Sequence, residues 1–388
     1  MIIEILGKFY DNHSLTIINR YLALLLSEKE GVQLCITPLD QYSPESKLPK
    51  KIVKKLKQLE SVENETSPDI QIRHSYPPVW NWPKDAKTKV IFIQPWEFSK
   101  VPFEWQYKWE TFTDHLIVPS NYIKDVITQG GMNPDEVTVV PNGYDESIYK
   151  KKGDKLTKYG IDPDKFNFLY VGNSQWRKGL DILINEWHSS FKKFDNAKLI
   201  IKDNPAIYGK NNVLNEIIKM QYKTGCASVI YIDDELSNEE MAALYRSSKV
   251  VVHPYRAEGF GMHVQEAVAC GCLPILPIIG PHQDFIAPDV GIRVEVQQVP
   301  IDISSNQVFA QKPGDAFTLM NTHTFANEPV GQNLKKALQW IYHSHDKKEA
   351  FAKLNDVELI NTWSNVANEY LEVITNVTKS DARPKRFR

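Results

Sequence analysis

Short apolar runs alternate with longer helical patterns along most of the chain, and this alternation constrains the fold more than any other feature. Such alternation is typical of parallel β-strands joined by helices that cover the faces of a sheet. The pattern runs from residue 2 to residue 140, is interrupted by the polar stretch 150–154, and restarts at Phe166. The sequence therefore predicts two α/β units of similar plan.

The two units have the following predicted elements. In the first, we expect strands at 2–6, 32–36, 69–73, 88–94, 115–118 and 137–140, and helices at 14–28, 49–60 and 121–130. In the second, we expect strands at 166–171, 197–201, 229–232 and 249–252, and helices at 178–194, 211–222, 238–247 and 261–270. Residues 296–328 have weak periodicity and are predicted to be loops, and helices follow at 331–343, 347–360 and 364–377.

Charge and apolar patterning exclude several classes of protein. The 46 Lys and Arg against 48 Asp and Glu give a net charge of −2, without the basic excess that is usual in nucleic-acid-binding proteins. No window approaches the roughly 18 apolar residues of a transmembrane helix. The chain opens as a strand rather than as a signal peptide, and four cysteines do not make a disulfide framework. We therefore expect a cytoplasmic protein.

The segment from His253 to Gly271 carries the clearest chemical signal. A strand ends at a loop with Gly259 and Gly261, and a helix follows. Glycines let a backbone approach a ligand, and the free N–H groups of a helix start favour anions. Glu258 in the loop and Glu266 in the helix could each accept two hydrogen bonds from a sugar diol. The residues alone fit equally well a strand–turn–helix junction with solvated glutamates.

This segment resembles the E-x7-E signature of the retaining glycosyltransferases of family 4, which have the GT-B fold. Glu258 and Glu266 fall on its two glutamates. The stretch from Val171 to Gly179 resembles the strand and Lys-Gly helix start of that family. The stretches 118–121 and 140–145 resemble its "PS … PNG-D" pattern. The matches follow one another in the order of the family between residues 115 and 290.

The resemblance implies an architecture of two Rossmann-like domains that face each other across a deep cleft. It gives an N-terminal acceptor-side domain at 1–147, a donor-binding domain at 148–363, and a C-terminal helix at 364–378 that packs on the first domain. A basic tail at 379–388 completes the chain.

The same resemblance implies roles for individual residues. Lys178 would neutralise the donor diphosphate, Glu266 would hold the ribose, and Glu258 would face the transferred sugar. The amides of Gly259, Phe260 and Gly261 would receive sugar hydroxyls or phosphate, and the family's loop after Gly172 would approach the donor.

The sequence departs from the family pattern at Asn173, at Gly7 and at His263, which stands where proline is frequent. Asn173 stands where the family commonly has arginine, so that a second cation for the diphosphate is missing there. Arg177 could supply it, since arginine binds phosphate bidentately, or could be a surface charge. The paired glycines after the first strand are reduced to Gly7, so that close backbone approach to the donor phosphate is not ensured in that loop.

Aromatic residues and a carboxylate follow the strand at 88–94. Trp96 and Glu97 suit sugar recognition by stacking and hydrogen bonding, and they are candidates for contact with the acceptor. Trp96 and Trp105 are equally compatible with a core position.

The segment 47–60 is rich in lysine, with apolar residues at helical spacing. Such a helix can lie on an anionic membrane surface, which would place the protein peripherally on the inner face of a membrane. A solvated helix on the first domain is the alternative.

No His, Cys or acidic cluster has metal-ligand spacing. Asp162-Pro163-Asp164 formally matches a D-x-D metal motif, but its composition predicts a turn. We therefore expect no metal and no cofactor apart from the nucleotide diphosphate sugar itself.

The resemblance implies a retaining transfer of the sugar to a hydroxyl of a glycan, lipid-linked or protein acceptor. The alternatives are an epimerase or hydrolase of nucleotide sugars on the same fold, and a non-catalytic nucleotide-sugar-binding protein.

Overall fold

The computed structural model describes most of the 388 residues of the chain. The described residues are 1–44, 48–61, 66–204, 217, 219, 225–301 and 324–380. Contacts within the chain divide it into two compact units. The first unit holds 1–96, 101–143 and the chain from Asn361 onward, and the second holds Glu97–Lys100 and Tyr144–Ile360.

The first unit is built on one parallel sheet of six strands in the order β2-β1-β3-β4-β5-β6. Its elements are β1 (Ile2–Gly7), α1 (Ser14–Leu26), β2 (Gln33–Pro38), α2 (Lys50–Glu60), β3 (Ile70–His74), β4 (Lys89–Ile93), α3 (Phe103–Phe112), β5 (His115–Val118), α4 (Asn121–Gln129) and β6 (Val137–Val139).

The last helix of the chain, α10 (Trp363–Lys379), belongs to the first unit. The ring of Trp363 stacks on Tyr21 of α1, with 4.8 Å between centroids and 8° between the planes. Lys89 Nζ donates hydrogen bonds to the carbonyls of Val377 (2.7 Å) and Ser380 (2.6 Å). The helix begins one residue earlier and ends two residues later than the predicted 364–377, and residues 381–388 of the predicted tail lie outside the described part.

The second unit is built on another parallel sheet of six strands, in the order β12-β11-β10-β7-β8-β9. Its elements are β7 (Phe166–Val171), α5 (Leu180–Ser190), β8 (Ala197–Lys202), β9 (Val229–Ile232), α6 (Asn238–Arg246), β10 (Val250–Val252), α7 (Met262–Ala269), β11 (Leu273–Pro277), β12 (Ile292–Val294), β13 (Val296–Ile301), β14 (Thr324–Pro329), α8 (Gly331–His343) and α9 (Lys347–Asn355).

The two faces of the second sheet bury separate cores. One core contains Phe168, Trp187 and Val252, and the other contains Leu169, Tyr245 and Val251. Neighbouring residues of one strand thus point to opposite cores, as the pleat of a strand requires. Such burial on both faces explains the nearly continuous apolar strands of this unit.

The prediction of loops at 296–328 is wrong at both ends of that segment. β13 and β14 form an antiparallel pair that runs from Val296 opposite Pro329 to Ile301 opposite Thr324. The polar and proline-containing sequence hid this pair, because antiparallel pairing can hold strands that are polar on one face. Residues 302–323 lie outside the described part, as do most of the residues predicted to form a helix at 211–222.

The strand order reverses between β7 and β10. From β7 the chain continues outward through β8 and β9, whereas β10 leads in the other direction through β11 to β12. In open parallel sheets, ligands bind at the carboxyl ends of the strands beside such a reversal. The loops that follow β7 and β10 are therefore the expected position of a site.

Candidate functional site

A tight turn follows β7 and carries two basic residues. Residues Trp176–Lys178 form a 3-10 turn that ends at Gly179, whose φ is 71°. A Cβ at this position would lie 1.8 Å from the carbonyl oxygen of Pro254 in the loop after β10. A glycine is therefore required here both for the backbone conformation and for close packing of the two loops.

The loops after β7 and β10 are joined by backbone hydrogen bonds. The N–H groups of Arg256 and Ala257 donate to the carbonyl of Arg177, over 2.7 Å and 3.2 Å. These bonds fix the Arg177–Lys178 pair relative to Glu258, although about 80 residues separate them along the chain.

The Arg256 side chain reinforces this junction. Its guanidinium binds both carboxylate oxygens of Asp181 (2.8 and 2.7 Å), one oxygen of Glu328 (2.7 Å) and the carbonyl of Trp176 (2.7 Å). It also lies 4.4 Å from the ring centroid of Trp176, in the arrangement of a cation–π contact. The sequence does not single out Arg256, because its partners lie in two distant stretches of the chain, 176–181 and the strand that holds Glu328.

Four side chains converge at the junction of the loops. The ammonium of Lys178 forms an ion pair with Glu258 Oε2, and His253 Nε2 lies 3.2 Å from the same oxygen. Arg177 lies 3.8 Å from it. The other oxygen, Oε1, accepts a hydrogen bond of 3.1 Å from the N–H of Gly259. The structure thus brings together three residues predicted from the sequence and one, His253, that was not.

The cluster keeps Glu258 ionised. Burial alone would raise the pKa of Glu258, but Lys178, the hydrogen bond from His253 and Arg177 outweigh it and hold the pKa well below its ordinary value of 4.5. Burial lowers the pKa of Lys178, and Glu258 opposes that shift. Burial also lowers the pKa of His253 to about 4, so its imidazole is neutral at pH 7. A neutral imidazole carries a single N–H, and the carboxylate at 3.2 Å places that proton on Nε2.

Arg177 belongs to the cluster rather than to the solvated surface. Its side chain is 16% exposed and lies 3.2 Å from Glu97, which belongs to the same unit. Asn173, where the family commonly has arginine, is 4% exposed and accepts a hydrogen bond from the N–H of Gln175. The turn after Gly172 is thus held by Asn173, and Arg177 lies between the carboxylates of Glu97 and Glu258.

Glu266 lies on α7, which begins after Gly261 with a φ of 94°. Tyr245 of α6 donates a hydrogen bond of 3.0 Å to Glu266 Oε2. Burial raises the pKa of Glu266 to about 7, although the Tyr245 hydrogen bond opposes the shift. Glu266 is therefore a carboxyl group that the fold holds at a pKa near neutral pH.

Another residue of the loop, Phe260, is buried and packs on Phe285 at 4.8 Å between ring centroids.

The loop after β1 in the first unit is organised by its own side chains. A Cβ on Gly7 would lie 2.5 Å from Asn19 Nδ2 and 2.5 Å from the carbonyl of His74, so this glycine is needed for packing. The N–H groups of residues 9, 10 and 11 donate to the carboxylate of Asp40, over 2.8, 2.8 and 3.2 Å. These amides are engaged within the protein in this structure.

Trp96 lies in the core of the first unit. It is 2% exposed and packs edge-on against Trp105, with 5.0 Å between ring centroids. Trp105 in turn packs on Trp109. A ring buried to this degree offers no face for stacking on a sugar, so the structure favours the core interpretation of Trp96.

The lysine-rich helix α2 buries Leu56 and Leu59 and exposes most of its lysines, while Lys47 lies outside the described residues. Lys55 pairs with Glu28, and Lys57 pairs with Glu60 at 2.6 Å. The helices that the structure describes are all too short or too polar to cross a bilayer. The described residues also contain no group of three or more His, Cys, Asp or Glu side chains placed to hold a metal ion.

Comparison with known proteins gives a family match to the second unit. Residues 151–301 match the model of the glycosyl transferases group 1. The chain is 28% identical over 174 residues to a D-inositol 3-phosphate glycosyltransferase of Catenulispora acidiphila, covering 42% of this chain and 41% of that protein. It is 30% identical over 162 residues to an uncharacterized glycosyltransferase of Methanocaldococcus jannaschii, covering 41% and 39%. The chain thus matches about two fifths of the length of these relatives.

Solved structures resemble the chain over nearly its whole length. The Anabaena protein HepE in complex with UDP and glucose has a TM-score of 0.62 and 13% identity, covering 96% of this chain and 99% of its own. Sucrose-phosphate synthase from Thermosynechococcus elongatus has a TM-score of 0.62 and 14% identity, covering 97% and 99%. At such low identity these likenesses show the fold alone. The chain has the GT-B fold, and its residues 151–301 are similar to the glycosyl transferases group 1.

Proposed function

We propose that the protein is a retaining glycosyltransferase that moves a sugar from a nucleotide diphosphate sugar to a hydroxyl of an acceptor without a metal ion. The observation that carries the proposal is the cluster of Lys178, Arg177 and Glu258 at the carboxyl ends of β7 and β10. The names of the relatives and the UDP and glucose bound by HepE support the same class of donor.

The two cations suit the diphosphate of the donor. Lys178 is paired with Glu258, and Arg177 lies between Glu258 and Glu97. A bound diphosphate would draw both cations toward its oxygens, since phosphate carries more charge than either carboxylate. As the sugar leaves, negative charge builds on the diphosphate, and fixed cations in a buried site stabilise it where a metal ion would otherwise serve.

The two glutamates suit the two ends of the donor. Glu266 would accept hydrogen bonds from the ribose diol, and Glu258 would accept them from the transferred sugar. In the reaction, the bond from the anomeric carbon to the diphosphate oxygen breaks, and a bond from the acceptor oxygen to the same carbon forms. The acceptor proton passes to the departing diphosphate oxygen on the same face, which retains the configuration. This path needs no protein nucleophile.

Incubation with a panel of UDP-, GDP- and ADP-sugars, with and without hydroxyl acceptors, tests the proposal. We expect nucleoside diphosphate release that depends on an acceptor, and an unchanged anomeric configuration in the product by proton NMR. Donor consumption without an acceptor would identify a hydrolase or epimerase instead. Binding of a donor without any turnover would identify a binding protein.

A pair of lysine variants checks where the activity resides. Lys178→Gln should lose most of the turnover, because it removes a buried cation from the cluster. Lys193→Gln, at an exposed position, should retain it. Equal activities of the two variants would remove Lys178 from the site.

A further inference from the structure

His253 is fully buried, directly after the last residue of β10, and it faces the Glu258 carboxylate. Its Nε2 lies 3.2 Å from Glu258 Oε2, while its Nδ1 has no hydrogen-bond partner among the described residues. The single polar contact of this imidazole is therefore with the glutamate that we assign to the transferred sugar.

Lys178 contacts the same oxygen, Glu258 Oε2, and we also assign this lysine to the donor diphosphate. Lys178 pairs with Glu258 Oε2, but in the proposed function its ammonium turns to the donor diphosphate. Glu258 then loses its strongest partner at the moment when it must hold a sugar hydroxyl. A buried carboxylate that loses a hydrogen-bond donor or cation is destabilised, so its pKa rises and it can take up a proton.

His253 is suited to remain with Glu258 in that state. Its ring is neutral at pH 7, so a diphosphate does not draw it away as it draws a cation. Its backbone is fixed as well, because the N–H of His253 donates to the carbonyl of Ile275 over 3.0 Å. The aromatic neighbours of the ring are His263, Tyr255 and Tyr170, with centroids 4.1, 5.2 and 6.0 Å away. The charged groups that face the carboxylate are Lys178 and Arg177, and Glu97 faces Arg177.

We propose that His253 is a positioning residue that holds the Glu258 carboxylate toward the transferred sugar once Lys178 has turned to the donor diphosphate. The inference rests on the proposed function, and it assigns to His253 an effect on turnover that is separate from nucleotide binding.

Two amide variants test this role. The amide nitrogen of His253→Gln can take the place of Nε2, whereas that of His253→Asn is too short to reach Glu258. We expect His253→Asn to lower kcat by about ten- to hundredfold, the worth of one hydrogen bond to a charged group, with the dissociation constant of the nucleoside diphosphate kept within about twofold. His253→Gln should recover most of the lost kcat.

The pH profile and a double mutant extend the test. The acid limb of the kcat profile should move to higher pH in His253→Asn, because Glu258 loses a donor that stabilises its charge. In a Glu258→Gln background, His253→Asn should have little further effect, since the histidine acts through that carboxylate. Equal loss in the Asn and Gln variants, or an undiminished effect in the Glu258→Gln background, would overturn the proposal.

A readout without turnover separates this inference from the proposed function. Carbon-13 NMR of labelled glutamate carboxyl groups should show a higher pKa for Glu258 in His253→Asn than in the wild type, with His253→Gln closer to the wild type. This shift is expected even if no donor of the panel is turned over. An unchanged Glu258 titration in a folded His253→Asn variant would contradict the inference by itself.

Discussion

Glu266→Gln should stabilise the protein at high pH, because the fold keeps this carboxyl group in a place that disfavours its charge. Burial raises its pKa from an ordinary value of 4.5 to about 7. Between these two values the folded state holds a proton on Glu266 that the unfolded chain has lost. The free energy of unfolding therefore falls as the pH rises from 4.5 through 7. Glutamine removes this titration and keeps an oxygen that can accept the hydrogen bond from Tyr245.

The size of the effect follows from the pKa of Glu266. Each pKa unit corresponds to about 1.36 kcal/mol, so the wild type loses roughly 3 kcal/mol between pH 4.5 and pH 8 through this residue. For a unit of 150–250 residues, this corresponds to about 6–12 °C in the melting temperature. The melting temperature of Glu266→Gln relative to the wild type should therefore rise with pH by this amount.

Calorimetric melting of both proteins at pH 5, 6, 7 and 8 measures the difference. Other titrating groups are common to both proteins and cancel. Glu358→Gln, at an exposed position, is the matched control for the replacement of a glutamate by glutamine. A constant difference between Glu266→Gln and the wild type from pH 5 to pH 8 would refute the reasoning. It would mean that the fold does not disfavour the charge on Glu266.

Three further predictions concern the junction, the metal and the lysine-rich helix. Gly179→Ala should lower kcat/KM and the melting temperature, because its Cβ would clash with the carbonyl of Pro254; wild-type values for both would contradict the described packing. Turnover should survive EDTA, because Lys178 and Arg177 supply the charge; a loss restored by Mn²⁺ or Mg²⁺ would contradict this. Binding to vesicles with anionic lipid should weaken with salt, at about 1 kcal/mol per lysine near the surface, and wild-type protein that ignores such vesicles at low salt would contradict a membrane role. This binding should be abolished when Gln replaces all four of Lys50, Lys51, Lys54 and Lys55.

The alternation of apolar runs and helical patterns was sufficient to predict most of the strands and helices. It failed where side-chain patterns are atypical. β11 contains Pro274 in its interior, and prolines argue against a strand unless tertiary contacts impose it. α3 carries aromatic residues on several faces and lacks the apolar stripe that identifies a helix.

The residues of the candidate site also differ in whether the sequence alone identifies them. Lys178, Glu258 and Glu266 could be found because they lie in local motifs with a fixed spacing. His253, Tyr245 and Arg256 have no such signal, since each acquires its role from a contact that the fold creates. The sequence allowed Arg177 to be either a phosphate-binding cation or a surface charge. Its contacts with Glu97 and Glu258 show that it lies in the cluster.

Calorimetric binding of a nucleoside diphosphate to the two glutamate variants tests the central claim most directly. The ligand is whichever of UDP, GDP and ADP stabilises the wild type most against heat. At pH 8, where Glu266 is ionised, Glu266→Ala should weaken binding about ten- to hundredfold, since a hydrogen bond to a charged group is worth about 1.5–3 kcal/mol. Glu258→Gln should bind nearly as the wild type does and lose turnover instead. Wild-type affinity in Glu266→Ala would contradict the assignment of this site to the donor.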